Sequence, residues 1–178
     1  MRIISILVFL LVLTGCVAAV DTIKTDGVQA TAADRGFVLI GIDSNQQLNE
    51  VHIRGPKNIK LTQADMPEGG NYLLFELPAG SYQISYISLG YAYGWVLDDD
   101  ELWAVNIKPK AINYIGDLSV KQQSQFSPYA DIQLRNRASI AYSYMRARFP
   151  VTLENNSLHY SGPGEDFFLS HIQQGASE

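Results

Sequence analysis

The sequence predicts a mainly β fold, an antiparallel β-sandwich of about seven short strands with a C-terminal helix packed on it. Three observations carry this expectation. Between residues 36 and 135, apolar residues recur mostly at every second position in short runs. Turn-forming Gly, Pro, Asn and Asp separate most of those runs. A helical period closed by a proline follows only after residue 138.

The runs justify themselves in order. Gly36 to Ile42 (GFVLIGI) is continuously apolar, which predicts a strand covered on both faces. Leu48 to Ile53 alternates imperfectly, with Leu48, Val51 and Ile53 apolar. Asn71 to Leu77 puts Leu73, Phe75 and Leu77 on one face, and Ser81 to Leu89 does the same with Tyr82, Ile84 and Tyr86. Pro78-Ala79-Gly80 lies between them and predicts a tight hairpin turn, since proline presets φ and glycine accepts a positive one. Leu102 to Ile107 turns Trp103, Val105 and Ile107 inward, and Lys108-Pro109-Lys110 turns the chain again. Ile112 to Val120 places Ile112, Tyr114, Leu118 and Val120 on one face, with Gly116 as a gap or bulge. Asp131 to Arg135 alternates. Ser139 to Phe149 then reads as a helix carrying Ile140, Tyr144 and Phe149, with Arg146 and Arg148 at the end that favours cations and Pro150 as its stop. A last short helix is expected over Glu165 to Gln173.

The first residues, MRIISILVFLLVLTGC, follow a different logic. Arg2 supplies a positive start, and Ile3 to Val12 is an apolar run broken only by Ser5. That length suits the central region of an export signal, about 7–15 residues. It falls short of the roughly 20 residues that cross a bilayer. Leu13-Thr14-Gly15-Cys16 resembles the bacterial lipobox, an apolar residue, two small residues and a cysteine. The resemblance implies a diacylglycerol thioether on Cys16, cleavage before it and acylation of the new N-terminus. In Gram-negative lipoproteins an aspartate after the cysteine often retains the protein in the inner membrane. Val17 stands there, so the resemblance implies outer-membrane delivery. The organisation expected is a lipoprotein signal peptide over residues 1–15, a lipidated tether over 16–35, a sandwich over 36–136 and a helical extension over 137–178.

A second resemblance rests on FELPAGSY (Phe75 to Tyr82) and INYIGDLSV (Ile112 to Val120). These stretches resemble those of small bacterial lipoproteins of unknown function related to carboxypeptidase-regulatory or prealbumin-like β-sandwiches. The resemblance covers about a third of the chain and implies a fold, with no catalytic residue to carry over.

Composition narrows the chemistry. The net charge of -5 argues against nucleic acid, whose binding needs clustered Lys and Arg, and against a basic patch gripping anionic lipid headgroups. Cys16 is the one cysteine, so an intramolecular disulfide and a Cys-based metal site are both ruled out. Asp98-Asp99-Asp100-Glu101 is the densest acidic cluster, but it lacks the alternate spacing and glycine of a calcium loop and reads as a solvated loop. Asp65, Glu68, Asp117 and the same cluster supply carboxylates with no spacing that selects a hydrolytic pair. His52, His159 and His171 are scattered, and Ser157, Ser161 and Ser170 sit in no nucleophile elbow. Gly162-Pro163-Gly164 lacks the Lys and Ser/Thr of a phosphate loop. No metal or cofactor is expected.

Tyr91, Tyr93, Trp95 and Trp103 are the candidate contact residues, since an apolar ring with a polar tip suits a sugar or a protein partner. The plainer reading is that they fill the core. The function expected is a lipid-anchored, periplasm-facing, non-enzymatic binding or envelope-assembly module. Its partners would be the membrane and an envelope protein or glycan. One alternative is a peptidoglycan-contacting domain using the aromatic loop, and another is an envelope hydrolase whose site assembles only in the fold.

Overall fold

The computed structural model describes residues 18–28, 31–66, 69–90, 93–98, 100–124 and 127–175. The stretch expected as a signal peptide (residues 1–15), Cys16, Glu68, Tyr91 and Asp99 lie outside the described residues. In chain order the elements are β1 (Ala18–Ala19), β2 (Arg35–Ser44), β3 (Leu48–Arg54), β4 (Ile59–Thr62), β5 (Gly69–Pro78), β6 (Gly80–Leu89) and β7 (Tyr93–Val96). There follow α1 (Asp100–Trp103), β8 (Ala104–Ile107), β9 (Ile112–Gln122), β10 (Ala130–Arg135), α2 (Ala138–Arg148), α3 (Pro150–Asn155), β11 (Leu158–Tyr160) and α4 (Phe168–Gly175).

The mainly β sandwich is what the chain forms. One sheet runs β1-β4-β3-β6-β7, with β8 also on β6; the other runs β10-β9-β2-β5, with β11 also on β9. Both sheets are mixed, because β1 lies parallel to β4, and β9 lies parallel to β2 and β11. The parallel β2–β9 pair has a simple cause. After β2 the chain visits the other sheet and returns as β5, then visits it again and returns as β9 in the direction of β2.

Pro78-Ala79-Gly80 is therefore a corner and not the hairpin that the sequence suggests. Its two strands belong to different sheets: β5 pairs with β2, while β6 pairs with β3, β7 and β8. Ala79 N–H donates to Asp34 O at 2.7 Å, and Tyr82 Oη reaches back to Pro78 O at 3.1 Å. A corner and a hairpin demand the same turn residues, so local sequence cannot separate them.

Two apolar layers result. Val38, Ile40 and Ile42 of β2 face the first layer, between the sheets, with Phe75, Ile84 and Ile87. Phe37 and Leu39 face the second layer, between the β2–β9 sheet and the helices, with Leu74, Ile112 and Tyr114. The continuous apolar run of β2 is thus explained, since both of its faces are covered. Each fully buried Leu, Ile or Phe contributes about 1.5–3 kcal/mol.

Gly116 corrects one sequence expectation. Ile112 and Tyr114 lie in the helix-side layer, whereas Leu118 and Val120 lie between the sheets. The four do not share a face, because the backbone at Gly116 adopts φ +114° and adds a residue opposite the β2 register shift between Leu39 and Gly41. One extra residue swaps the faces of everything beyond it.

Helix α2 buries Ala138, Ala141 and Met145, while Ile140 is 53% exposed. The larger side chains suggest a different face, but the helix packs tightly on the sheet and only small or flexible residues fit beneath it. Pro150 ends α2 and opens α3, where a residue lacking N–H costs nothing. The Leu102 to Ile107 run turns inward as expected, although its first residues form α1.

Residues 18–28, expected as a tether, are laid against the sandwich. Ala18 N–H donates to Asn58 O at 3.3 Å, and Ile23 N–H to Leu74 O at 2.7 Å. Asp26 accepts from Val151 N, Thr152 N and Thr152 Oγ1 at 2.8, 3.0 and 2.8 Å, so it caps α3 from across the chain. Asp26→Ala is expected to free this segment while leaving the sandwich folded. Limited trypsin digestion reads this as faster cleavage after the exposed Lys24, and an unchanged rate would show that the cap does not hold the strand.

Candidate functional site

The most concentrated polar chemistry lies on the helix-facing side of the β2–β9 sheet. β-register sets it up: Gly41 of β2 is flanked by Tyr72 of β5 on one side and Asp117 of β9 on the other. Because Gly41 has no side chain, Tyr72 and Asp117 meet across it. A Cβ there would overlap the Asp117 carboxylate. The Gly116 bulge is what turns Asp117 to this face.

Asp117 is only 5% exposed. Tyr114 Oη donates to its Oδ1 at 2.7 Å and Tyr72 Oη to its Oδ2 at 3.2 Å. Arg137, just before α2, places a guanidinium nitrogen 3.8 Å from Asp117 Oδ2 and 3.4 Å from Asp43 Oδ2. Lys121 Nζ pairs with Asp43 Oδ1. Arg137 N–H donates to Tyr114 Oη at 3.0 Å, so one phenol links the carboxylate to the start of the helix. Tyr72 stacks on Tyr144 of α2 at 4.8 Å between centroids. The groups border a cleft of about 330 Å³ that also touches Ile140.

The protonation states follow from these contacts. Burial pushes the Asp117 carboxyl above the usual carboxylate range, against the pull of the two phenols and Arg137. Burial, with Asp117 alongside, raises both phenols, so they are donors at neutral pH. Asp43 is held below its ordinary value, chiefly by the hydrogen bond from Lys121. Arg137 is shared by the two carboxylates, and the arrangement works as a latch between sheet and helical layer.

Of the sequence-derived carboxylates among the described residues, Asp117 alone enters this cluster. Asp65 accepts from Thr62 N and Oγ1 at 2.9 and 2.8 Å and closes a turn. Asp98 and Glu101 are exposed. Among the described residues, no three potential ligands gather around a metal position. The histidines are dispersed. His52 pairs with Glu50 at 2.8 Å, His159 is on β11 with its pKa lowered by burial and then by Lys108, and His171 is exposed on α4. Ser161 donates to Asn113 Oδ1 at 3.0 Å, and Ser170 to Asp166 O at 2.8 Å.

The aromatic candidates divide. Trp103 is 7% exposed and belongs to the core, so it presents no ring to a partner. Tyr93 and Trp95 are half-buried on the edge strand β7, with rings 25° from parallel and 6.4 Å apart. Trp95 packs against the layer between the sheets and so helps to close its open side.

Sequence reasoning passes over Asp43, Tyr72, Tyr114, Lys121 and Arg137 as site residues. A signal exists in Gly41-Ile42-Asp43 and Gly116-Asp117, where a glycine and an acid interrupt otherwise apolar strands. Asn113 is missed too. It is fully buried and its amide donates to the carbonyls of Phe37, Lys108 and Ala111, tying the Lys108–Lys110 turn to β2. Searches of protein-family models, of curated proteins and of solved structures find no match to this chain.

Proposed function

We propose that this chain is a bacterial lipoprotein, anchored through acyl chains on Cys16 and carrying a non-enzymatic binding module in the cell envelope. The observation that carries the reading is the apolar run ending in Leu13-Thr14-Gly15-Cys16, two residues before the first strand docked on the sandwich. Several acyl chains hold a protein on a bilayer far better than one, at about 0.8 kcal/mol per buried CH₂. Val17 after the cysteine favours the outer membrane, with the domain facing the periplasm.

Support for a binding module comes from side chains that the fold leaves outside its two layers. Phe167 is 77% exposed beside α4, and Phe168 meets Tyr142 of α2 edge-on at 6.1 Å, which puts aromatic surface on the helical layer. Such surface suits a protein partner.

Cys16→Ser is expected to move the mature protein from the membrane fraction to the soluble periplasmic fraction. Mass spectrometry of the wild-type N-terminus should show a cysteine bearing diacylglycerol and an N-acyl group. An unmodified thiol on a membrane-bound protein would sink the proposal.

A further inference from the structure

The chain carries a net charge of -5, yet its cations are unevenly placed. One end of the sandwich gathers the end of β3, the start of β4, the Pro78–Gly80 corner and the Lys108–Lys110 turn. Several contacts fix this grouping. Gly80 pairs with Ile107, and its α-carbon closely faces Pro56. Lys110 N–H donates to Arg35 O at 2.8 Å, and Ala79 N–H to Asp34 O. Arg54, Lys57, Lys108 and Lys110 all stand exposed there, and among the described residues none of the four makes an ion pair. Arg35 is half-buried and engaged with Glu76 at 3.2 Å; Asp21 and Asp34 are exposed acids nearby, and the half-buried Asp166 lines a cleft with Lys108.

The N-terminal strand enters at the same end. Ala18 lies beside Ile59, and its N–H donates to Asn58 O, next to Lys57. Ala18 is two positions along the chain from Cys16, with Val17 alone between them. Two residues reach at most about 7 Å, which is shorter than the roughly 8–10 Å over which charges act at physiological salt. A lipid on Cys16 would therefore hold this end, and no other, within reach of headgroups.

Resting on the lipoprotein reading above, we propose that this end is a bilayer-docking face, in which Arg54, Lys57, Lys108 and Lys110 contact the phosphates of anionic lipid headgroups. The acidic total conceals it because Arg35, Lys60, Lys121, Arg135 and Arg137 are each engaged with a carboxylate, whereas among the described residues these four are not. The anchor fixes the protein to the bilayer, and the short connection gives the weak basic contact a high effective concentration there.

The test uses the mature acylated protein in vesicles of phosphatidylethanolamine and phosphatidylglycerol. A fluorophore is attached at Pro109→Cys, in the basic turn, or at Gln123→Cys, beyond the far end of β9. Cys16 takes no label once it is a thioether. The expected result is severalfold weaker quenching by an aqueous quencher at position 109 than at 123. The difference should shrink on phosphatidylcholine vesicles, in rising salt, and when Arg54, Lys57, Lys108 and Lys110 are all replaced by Glu. Equal quenching at the two positions in a protein whose N-terminus is acylated would overturn the docking face and leave the anchor intact. An unacylated N-terminus would overturn both. The salt and lipid arms need no charge variant, so a misfolded glutamate protein does not decide the outcome.

Discussion

A Gly116→Ala variant is expected to unfold at a clearly lower urea concentration, with stability reduced by about 1–3 kcal/mol. The backbone there sits at φ +114°, a region open to glycine and strained for any residue with a Cβ. The new methyl would also lie 3.0 Å from the Leu134 side chain and 3.3 Å from Arg135 O. Leu134 can move, so the steric part is relieved in a Gly116→Ala, Leu134→Ala double variant, but the backbone strain is not. The double variant should therefore recover none of the loss that comes from φ. A Gly116→Ala protein as stable as wild type in equilibrium urea unfolding would show that the bulge is not held at this φ. The effect reaches both apolar layers, because this residue decides which of them Ile112, Tyr114, Leu118 and Val120 fill.

The second large effect lies in the latch. Tyr114→Phe removes a hydroxyl that donates to buried Asp117 Oδ1 and accepts from Arg137 N–H, leaving each without that partner. A buried polar group without its partner costs about 1–3 kcal/mol, so a loss of that order is expected. The pH dependence separates the two acids. Asp117 has its pKa raised in the folded protein, so its contribution is full below the ordinary carboxylate value of about 4 and is lost as pH rises through the folded value. Asp43 is lowered, so its contribution is present above that ordinary value and is lost as pH falls through the folded one. Relative to wild type, Asp117→Asn should become more favourable as pH rises from about 3 to 7, and Asp43→Asn less favourable. Urea unfolding across that range reads both signs. Parallel trends for the two variants would contradict the assignment.

Much of the fold is legible in the sequence because strands with a period of two announce themselves. The runs that became β2, β3, β5, β6, β9 and β10 are each visible as apolar alternation or continuity. The imperfect start of β3 is explained by a register shift between Leu48 and Glu50. The short strands β1, β4, β7 and β11 were not legible, since two to four residues hold no period and owe their extension to the neighbour they pair with. Parity at Gly116 and sheet switching at Pro78-Ala79-Gly80 depend on distant partners, and local pattern is silent about those. The latch was hidden for the same reason: Asp43, Tyr72 and Asp117 are far apart in sequence and neighbours only in register. Without α2 and α4, the sheet would expose Phe37, Leu39, Leu74 and Ile112, so the helical extension completes the fold and is no appendage.

The parallel ladder between β2 and β9 also governs how the molecule can be made. Asn113 bonds to Phe37 from 76 residues away, and Asp26 meets α3 from 125 residues away. Contacts of such long range must meet the entropy of closing their loops before they stabilise anything. The central sheet needs β9, so it is complete only once residue 122 has been made, and the clasp from Asp26 needs residues 151 and 152. Until β9 is made, β2 presents an open strand edge, the kind of surface that pairs with other chains.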